Sequence, residues 1–301
     1  MKLLTYKKRN ENHEEAGVLC RCGKAAMGLQ NLGLPYRDMN ELIETANPKD
    51  WEKLKKASLL SSLVEKTPEM TYLENVSLCA PIPYPRQDII CLGINYMAHA
   101  EESARYKAET FGGERPYAVY FSKRVNEAVA DGGEIQSHGD IDEKLDYEAE
   151  LAVIIGRDAK NVSPEQALDY VLGYTILNDV SARELQSRHK QWYFGKSLDG
   201  FCPMGPWIVT ADEIPDPHNL SISSLVNGEL RQNSSTSQLI FNINHVISEL
   251  SSGMTLKAGS IIAMGTPAGV GMGFVPPKFL KSGDTVECAI ESIGSLIVTI
   301  K

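Results

Sequence analysis

The clearest hydrophobic pattern in the chain runs from Leu145 to Gly156. Its second half is continuously apolar and partly β-branched, which predicts a buried strand that ends at Gly156. Two carboxylates, Glu148 and Glu150, lie in the first half. Because successive side chains of a strand point to opposite faces, we expect both carboxylates on the same face. Either a divalent cation compensates their charges, or the face is solvated and carries the glutamates incidentally.

Short strand-like and helix-like patterns alternate in the first quarter of the chain. The predicted strands cover residues 3–6 and 18–22, and the predicted helices cover residues 39–46 and 51–64. The segment Cys79–Arg86 then carries three prolines at alternate positions, which favours an extended connector. We therefore predict a small N-terminal α+β module over residues 1–78 and a larger domain over residues 79–301.

A second buried strand begins at residue 89 and ends at Gly93, before a helix-like segment with His99 and Glu102. These two residues are three positions apart and share one face of a helix. A glutamate bonded to a histidine orients it and raises its basicity, which suits a general base acting on water. An incidental pair on a solvated helix would have the same spacing. Residues 103–116 contain Gly112-Gly113 and many charges, which predicts a mobile loop of the kind that forms lids.

A strand–helix–strand pattern follows the two glutamates. Ser163 is a suitable N-cap for the helix, Gly173 is a suitable stop, and residues 174–178 form the next strand with Asp179 at its exit. Such a unit can bring Asp179 beside the glutamates. Three carboxylates make an oxygen-ligand set, which selects Mg²⁺, Mn²⁺ or Ca²⁺ over zinc.

The chain from Cys202 onward shows short strands separated by turns. Asn227-Gly228 between apolar residues predicts a hairpin, and residues 240–250 predict a helix. The loop Gly265–Gly271 follows a strand, and its glycines let the backbone come near a ligand.

Composition narrows the function classes. The 301 residues are 43% hydrophobic and 23% charged, as in a globular protein, and the net charge is −9 without a basic stripe, which argues against nucleic acid as a partner. No secretory signal and no membrane-spanning apolar run is visible. Four of the six cysteines are scattered, as in a reduced protein, so we expect a cytoplasmic location. Without a membrane-spanning run, we expect no membrane partner.

Five motifs in unbroken order across residues 79–301 resemble the fumarylacetoacetate hydrolase superfamily. They are Gly93-x-Asn95-Tyr96-x-x-His99-x-x-Glu102, Leu145-Asp146-Tyr147-Glu148-x-Glu150, Asn178-Asp179-Val180-Ser181-Ala182-Arg183-x-x-Gln186, Gly195-Lys196-Ser197-x-Asp199 and Gly265-Thr266-Pro267-x-Gly269-Val270-Gly271. The resemblance implies a β-rich α+β fold, a mixed β-roll or sandwich with a small N-terminal module. It also implies a homodimer.

The resemblance assigns roles to individual residues. It implies that Glu148, Glu150 and Asp179 bind Mg²⁺ or Mn²⁺, with Ca²⁺ as a further possibility. His99 and Glu102 would form a water-activating dyad on a lid. The implied catalytic lysine is Lys196, and the implied substrate contacts are Lys123, Arg183, Gln186 and Thr266. Some members add a further metal-binding carboxylate where this chain has Asn95, so we expect three protein carboxylates.

The implied substrate is a 2-oxo or 2,4-dioxo acid whose enolate is stabilised by the metal and a lysine. Hydrolysis of an acylpyruvate, such as fumarylpyruvate or acetylpyruvate, is the first hypothesis. Oxaloacetate decarboxylation and isomerisation of a 2-oxo diacid are alternatives within the superfamily. A non-catalytic metabolite-binding paralogue is a third class.

Overall fold

The computed structural model describes residues 1–9, 11–60, 70–107 and 116–301. These residues form a β-rich fold. Its strands are β1 (Lys2–Lys8), β2 (Glu14–Leu19), β3 (Ala25–Gly28), β4 (Met70–Tyr72), β5 (Val76–Cys79), β6 (Ile89–Gly93), β7 (Val119–Lys123), β8 (Glu134–Ile135), β9 (Leu145–Asp146), β10 (Ala149–Ile155), β11 (Val171–Asn178), β12 (Ser181–Ala182), β13 (Met204–Thr210), β14 (Ser221–Val226), β15 (Glu229–Ser235), β16 (Ile261–Ala263), β17 (Thr285–Ile290) and β18 (Gly294–Ile300).

Helices occupy the connections between these strands. The α-helices are α1 (Met39–Thr45), α2 (Pro48–Ser58), α3 (Met97–Lys107), α4 (Arg183–Arg188), α5 (Tyr193–Lys196) and α6 (Ile243–Gly253). Short 3₁₀ turns cover Leu73–Asn75, Pro164–Tyr170, Ala211–Glu213, Thr236–Gln238 and Gly271–Gly273. No helix among the described residues is long and apolar enough to cross a membrane.

Two sheets pack on a shared core. The larger sheet has the strand order β4-β3-β2-β1-β13-β11-β10-β16-β6-β7, and β5 also pairs with β1. The smaller sheet has the order β15-β14-β17-β18-β8. Leu151 and Val153 of β10 belong to the same buried cluster as Ile222 of β14 and Val286 of β17. The β-rich α+β fold expected from the sequence is confirmed.

The N-terminal residues extend the larger sheet. Strand β1 pairs antiparallel with β13, with Leu3 opposite Ile208, and residues from both sides of position 79 share one buried cluster. Helix α2 begins with a capping box, because Asn47 accepts from the backbone of Asp50, whose side chain accepts from Asn47 N in return. Helix α2 ends at Ser58, and the rest of the predicted helix over 51–64 falls partly outside the described residues. The boundary at residue 79 stays a prediction.

The strand predicted from Leu145 to Gly156 is interrupted. Strand β9 pairs with β12 in a separate two-stranded sheet, and β10 of the larger sheet begins only at Ala149. Tyr147 and Glu148 therefore lie between these two sheets. The cause is side-chain competition for the backbone, since Asp146 Oδ1 accepts from Tyr147 N at 2.9 Å and Asn178 Oδ1 accepts from Glu148 N at 3.0 Å. The prediction of one continuous strand is therefore wrong at this point.

The helix predicted from Ser163 to Gly173 is also wrong in type. Residues Pro164–Tyr170 form a 3₁₀ turn, Ser163 makes no side-chain cap, and Gly173 lies inside β11. Strand β11 runs between β10 and β13, and this pairing overrides the local helix signals. A Cβ at position 173 would lie 2.2 Å from Val209 O, so the glycine permits close strand approach.

Other loop predictions have mixed outcomes. The Asn227-Gly228 hairpin is confirmed, with φ of 51° and 79° at the two residues between β14 and β15. Residues 103–107 belong to α3 rather than to a loop, which corrects the predicted loop start. The remainder of that loop, with Gly112-Gly113, lies outside the described residues.

The strand approach at Gly173 leads to a stability prediction. Gly173→Ala should lower the free energy of unfolding by about 1–3 kcal/mol, because the Cβ of the new alanine must push β11 away from β13. Gly253→Ala is the matched control, since its Cβ meets nothing within 4 Å. Urea unfolding measures both. Equal stability of the two variants would contradict the close packing at Gly173.

Candidate metal centre and active site

Three carboxylates converge where β10 and β11 meet. The antiparallel register places Ala149 opposite Asn178, so Glu148, Glu150 and Asp179 flank the same point of the ladder. One oxygen from each lies within 4.8 Å of the others, and all three residues are buried. Glu150 Oε2 accepts from Gly265 N at 2.8 Å, which fixes the third carboxylate on the glycine-rich loop.

The electrostatics of the triad are unequal. Burial, with Asp179 and Glu148 nearby, raises the pKa of Glu150 well above its ordinary value. Burial alone would also raise the pKa of Glu148, but Lys196 and Arg183 outweigh burial and lower it to about 2. The cationic neighbours therefore compensate the charge of Glu148 but do not compensate that of Glu150.

Two buried lysines brace Asp179. Lys196 Nζ lies 2.8 Å from Glu148 Oε2 and 2.5 Å from Asp179 Oδ2. Burial lowers the pKa of Lys196, but Asp179 and Glu148 outweigh this and hold it above its ordinary value. Lys123 Nζ lies 2.8 Å from Asp179 Oδ1 and donates to the carbonyls of Val180 and Lys196.

Arg183 connects Glu148 of the triad to Asp146 of strand β9. Its Nε and Nη2 each lie 2.8 Å from Asp146 Oδ2, and its Nη1 lies 2.7 Å from Glu148 Oε1 and 3.1 Å from Gln186 Oε1. Because these donors serve protein acceptors, the guanidinium orients Glu148 as well as facing the cavity.

The donor set fits a hard divalent cation. Three carboxylate oxygens suit Mg²⁺ or Mn²⁺, and a cation would relieve the repulsion that raises the pKa of Glu150. Asn95 is not a fourth ligand candidate, because its Nδ2 donates to Phe241 O and Met264 O while its Oδ1 accepts from Phe241 N.

The predicted dyad is assembled on α3. His99 Nδ1 lies 2.9 Å from Glu102 Oε2, and both side chains are buried. Glu102 Oε1 accepts from Gly269 N at 3.0 Å, so the glycine-rich loop holds the glutamate. His99 lines a cavity of about 100 Å³ that also exposes Glu148 and Lys196, so its second ring nitrogen is the one available for chemistry.

Comparison with known proteins shows which family the chain belongs to. The family model for the fumarylacetoacetate hydrolase C-terminal domain matches residues 88–301. The chain belongs to the fumarylacetoacetate hydrolase superfamily. It is 50% identical over 227 residues to oxaloacetate tautomerase YisK from Bacillus subtilis, covering 75% of this chain and 74% of the relative.

Solved structures of the superfamily match over the whole chain. A fumarylacetoacetate hydrolase from Exiguobacterium antarcticum is 37% identical with a TM-score of 0.81, covering 100% of this chain and 99% of that one. A 2-hydroxyhepta-2,4-diene-1,7-dioate isomerase from Mycobacterium marinum is 30% identical with a TM-score of 0.70, covering 100% and 98%.

The structure separates the predicted site residues into two groups. The cavity wall includes His99, Glu148, Arg183, Gln186, Lys196 and Thr266. The remaining predicted residues, Glu102, Lys123, Glu150 and Asp179, support those side chains from beneath. Substrate contact by Lys123, Arg183, Gln186 and Thr266 stays a prediction. The Lys123 ammonium already binds Asp179 and two carbonyls.

Thr266 reaches the cavity with its hydroxyl already engaged. Its Oγ1 donates to Ala149 O at 2.9 Å and accepts from Gln232 Nε2 at 2.7 Å. Gln232 Oε1 in turn accepts from Ala149 N at 3.1 Å. Gln232 thus ties the loop to β10 between the two glutamates, and nothing in its local sequence signals this role.

Asp146 is a second residue that sequence reasoning missed. Besides Arg183, it accepts from Gly271 N at 2.7 Å and Met272 N at 3.0 Å. It therefore fixes the glycine-rich loop and the guanidinium together. Its position inside the superfamily motif was the available signal.

We expect substitution of any triad carboxylate by its amide to weaken Mn²⁺ binding. Glu148→Gln, Glu150→Gln and Asp179→Asn keep the shape but remove the charge, so affinity should fall by more than about 10-fold, and activity with it. Calorimetric Mn²⁺ titration measures this, with circular dichroism to check the fold. Exposed Glu134→Gln is the control, and wild-type affinity in all three variants would refute the metal site.

The contact between Gly273 and Glu102 predicts a second effect. A Cβ at Gly273 would lie 2.0 Å from Glu102 Oε1, so Gly273→Ala should displace the dyad and lower kcat by up to about 100-fold. Mn²⁺ affinity should stay unchanged, because the triad is untouched. Gly253→Ala serves as the control, and an unaltered kcat in Gly273→Ala would show that Glu102 does not need this position.

Proposed function

We propose that this protein catalyses keto–enol tautomerisation of a short 2-oxo diacid, with oxaloacetate as the leading candidate. The observation that carries the proposal is the buried His99–Glu102 pair on the wall of the cavity that Lys196 and Glu148 also line. This arrangement places a proton-transfer group beside cationic side chains in a protein with net charge −9.

His99 can transfer one proton from carbon 3 of the substrate to the oxygen on carbon 2 and end in its starting protonation state. His99 removes a hydrogen from carbon 3 of the keto acid as the carbon–carbon double bond forms. Glu102 stabilises the resulting imidazolium through the hydrogen bond to Nδ1. The imidazolium then returns the proton to the oxygen on carbon 2, which completes the enol.

The cationic side chains of the cavity wall would bind the anionic substrate. Lys196 and Arg183 counter the substrate carboxylates and the negative charge that develops on the carbon 2 oxygen. A divalent cation, Mg²⁺ or Mn²⁺, held by Glu148, Glu150 and Asp179 would supply Lewis acidity to the carboxylate and the neighbouring oxygen.

The relatives support this proposal over acylpyruvate hydrolysis, which the sequence motifs put first. The relative that is 50% identical is an oxaloacetate tautomerase, and a solved structure at 30% identity is a diacid isomerase. Both names describe proton movement in a 2-oxo diacid or its enol.

Acylpyruvate hydrolysis is the second candidate. The observation in its favour is the 37% identity to a fumarylacetoacetate hydrolase, and the same dyad could activate water. Decarboxylation of oxaloacetate needs no base, because the leaving carbon dioxide supplies the electrons of the enolate.

A panel of enol-oxaloacetate, oxaloacetate and acetylpyruvate with Mn²⁺ separates the three reactions. Hydrolysis of acetylpyruvate without tautomerase activity would overturn the proposal.

A homodimer is the proposed assembly, on the strength of the superfamily resemblance alone. Light scattering of the purified protein tests it.

Loss of the His99 side chain should lower the tautomerisation rate more than loss of a histidine far from the cavity. His99→Ala should lower the kcat for tautomerisation by about 10²–10⁴-fold, because general-base help is lost. His245→Ala is the control, since His245 lies near Glu249 on the surface. Metal affinity should be the same in both variants. A His99→Ala enzyme with wild-type turnover would remove the dyad from the mechanism.

A further inference from the structure

The cavity has a polar part and an apolar part. Beyond the charged residues described above, its wall includes side chains that carry no charge and offer little hydrogen bonding. They are Leu92, Ile94, Phe121, Trp192 and Met272. An acid whose carboxylate and 2-oxo group contact the polar part must turn the rest of its chain toward this apolar wall.

Trp192 is held in this wall by a glycine. A Cβ at Gly93 would lie 2.1 Å from Trp192 Cζ3 and 2.6 Å from Cη2, so the edge of the indole rests on the Gly93 backbone. On another side the indole meets Phe121 edge to face, with ring centroids 5.2 Å apart. The half-buried ring therefore packs against the neighbouring strands β6 and β7.

The position of the indole is tied to that of Lys196. Lys196 N donates to Trp192 O at 3.1 Å, so one turn of helix α5 separates the two residues. Lys196 Nζ lies 5.2 Å from the centroid of the Phe121 ring. Trp192 and Lys196 thus contact the same phenyl ring, which sets the distance between the indole and the reacting end of the cavity.

The cavity is small for the substrates of this superfamily. Its volume is about 100 Å³, whereas an apolar cavity that binds benzene measures about 150 Å³. A compact four-carbon diacid can enter with one end toward the mouth. A longer chain would have to displace the indole, and the Gly93 and Phe121 contacts oppose that.

We propose that Trp192, seated on Gly93, is the specificity-determining residue that limits the substrate to four-carbon 2-oxo diacids and excludes longer 2-oxo and 2,4-dioxo acids. The inference names the substrate class of the proposed tautomerase and in that respect rests on it. The size limit itself is a property of the cavity and can be measured without turnover.

The test is a chain-length series of ligands. The Kd values of 2-oxoglutarate, 2-oxoadipate and 2-oxopimelate are measured by calorimetry on the Mn²⁺-loaded protein. In the wild type each added methylene should weaken binding by about 10-fold or more. In Trp192→Ala this length dependence should disappear, and Trp192→Phe should lie between. Trp51→Ala, on helix α2, is the matched control and should retain the wild-type series.

A double-mutant cycle tests the seat of the indole. Gly93→Ala should drive the ring from its place and weaken 2-oxoglutarate binding by about 10-fold or more, as expected for a lost fit of one methyl-sized group. Adding Trp192→Ala should restore binding, since the nearest remaining contact of the new Cβ is Val119 Cγ1 at 3.3 Å. Additive losses in the double variant would overturn the proposed contact.

The outcomes separate this inference from the proposed function. An unchanged length dependence in both Trp192→Ala and Trp192→Phe overturns the role of Trp192, even if oxaloacetate is tautomerised. A length dependence that disappears with Trp192 supports the inference, even if the wild type proves to catalyse another reaction. If Trp192→Ala does not fold, the graded effect of Trp192→Phe decides.

Discussion

Three carboxylates within 4.8 Å of one another in a buried site are the constraint on which the rest of this structure depends. Like charges at that distance cannot all stay ionised in a protein interior without compensation. Lys196 and Arg183 compensate the negative charge of Glu148. Lys123 and Lys196 compensate that of Asp179. Glu150 remains with a raised pKa. A divalent cation held by the three carboxylates would complete this balance.

The same network determines the local backbone. Glu148 lies in the break between β9 and β10, and Asp146 at that break holds both Arg183 and the loop at Gly271. That loop in turn holds Glu102 through Gly269 N. The His99–Glu102 pair and the carboxylate triad are therefore connected through one short glycine-rich loop, which accounts for close approaches that a side chain at Gly273 would block.

Motif order predicted the triad, and the expected alternation singled out Glu148 and Glu150, although Glu148 itself precedes β10. His99 and Glu102 were predictable from their helical spacing and the superfamily motif. The interruption at Tyr147 was not, since it results from Asp146 and Asn178 bonding to the backbone across distant segments. The 3₁₀ turn before β11 shows sheet pairing overriding suitable helix caps. Trp192 lacked any signal, because its partner Gly93 is 99 positions away in sequence and only folding brings the two together.

Deuterium exchange at carbon 3 of oxaloacetate tests the central claim most directly. The Mn²⁺-loaded protein reacts with oxaloacetate in D₂O, and malate dehydrogenase with NADH traps the product as malate for NMR. If His99 is the only base and acts on one face of carbon 3, a tautomerase should introduce one deuterium stereospecifically, faster than metal alone and without pyruvate. Pyruvate release that outpaces exchange, or exchange no faster than in the protein-free control, would contradict the account.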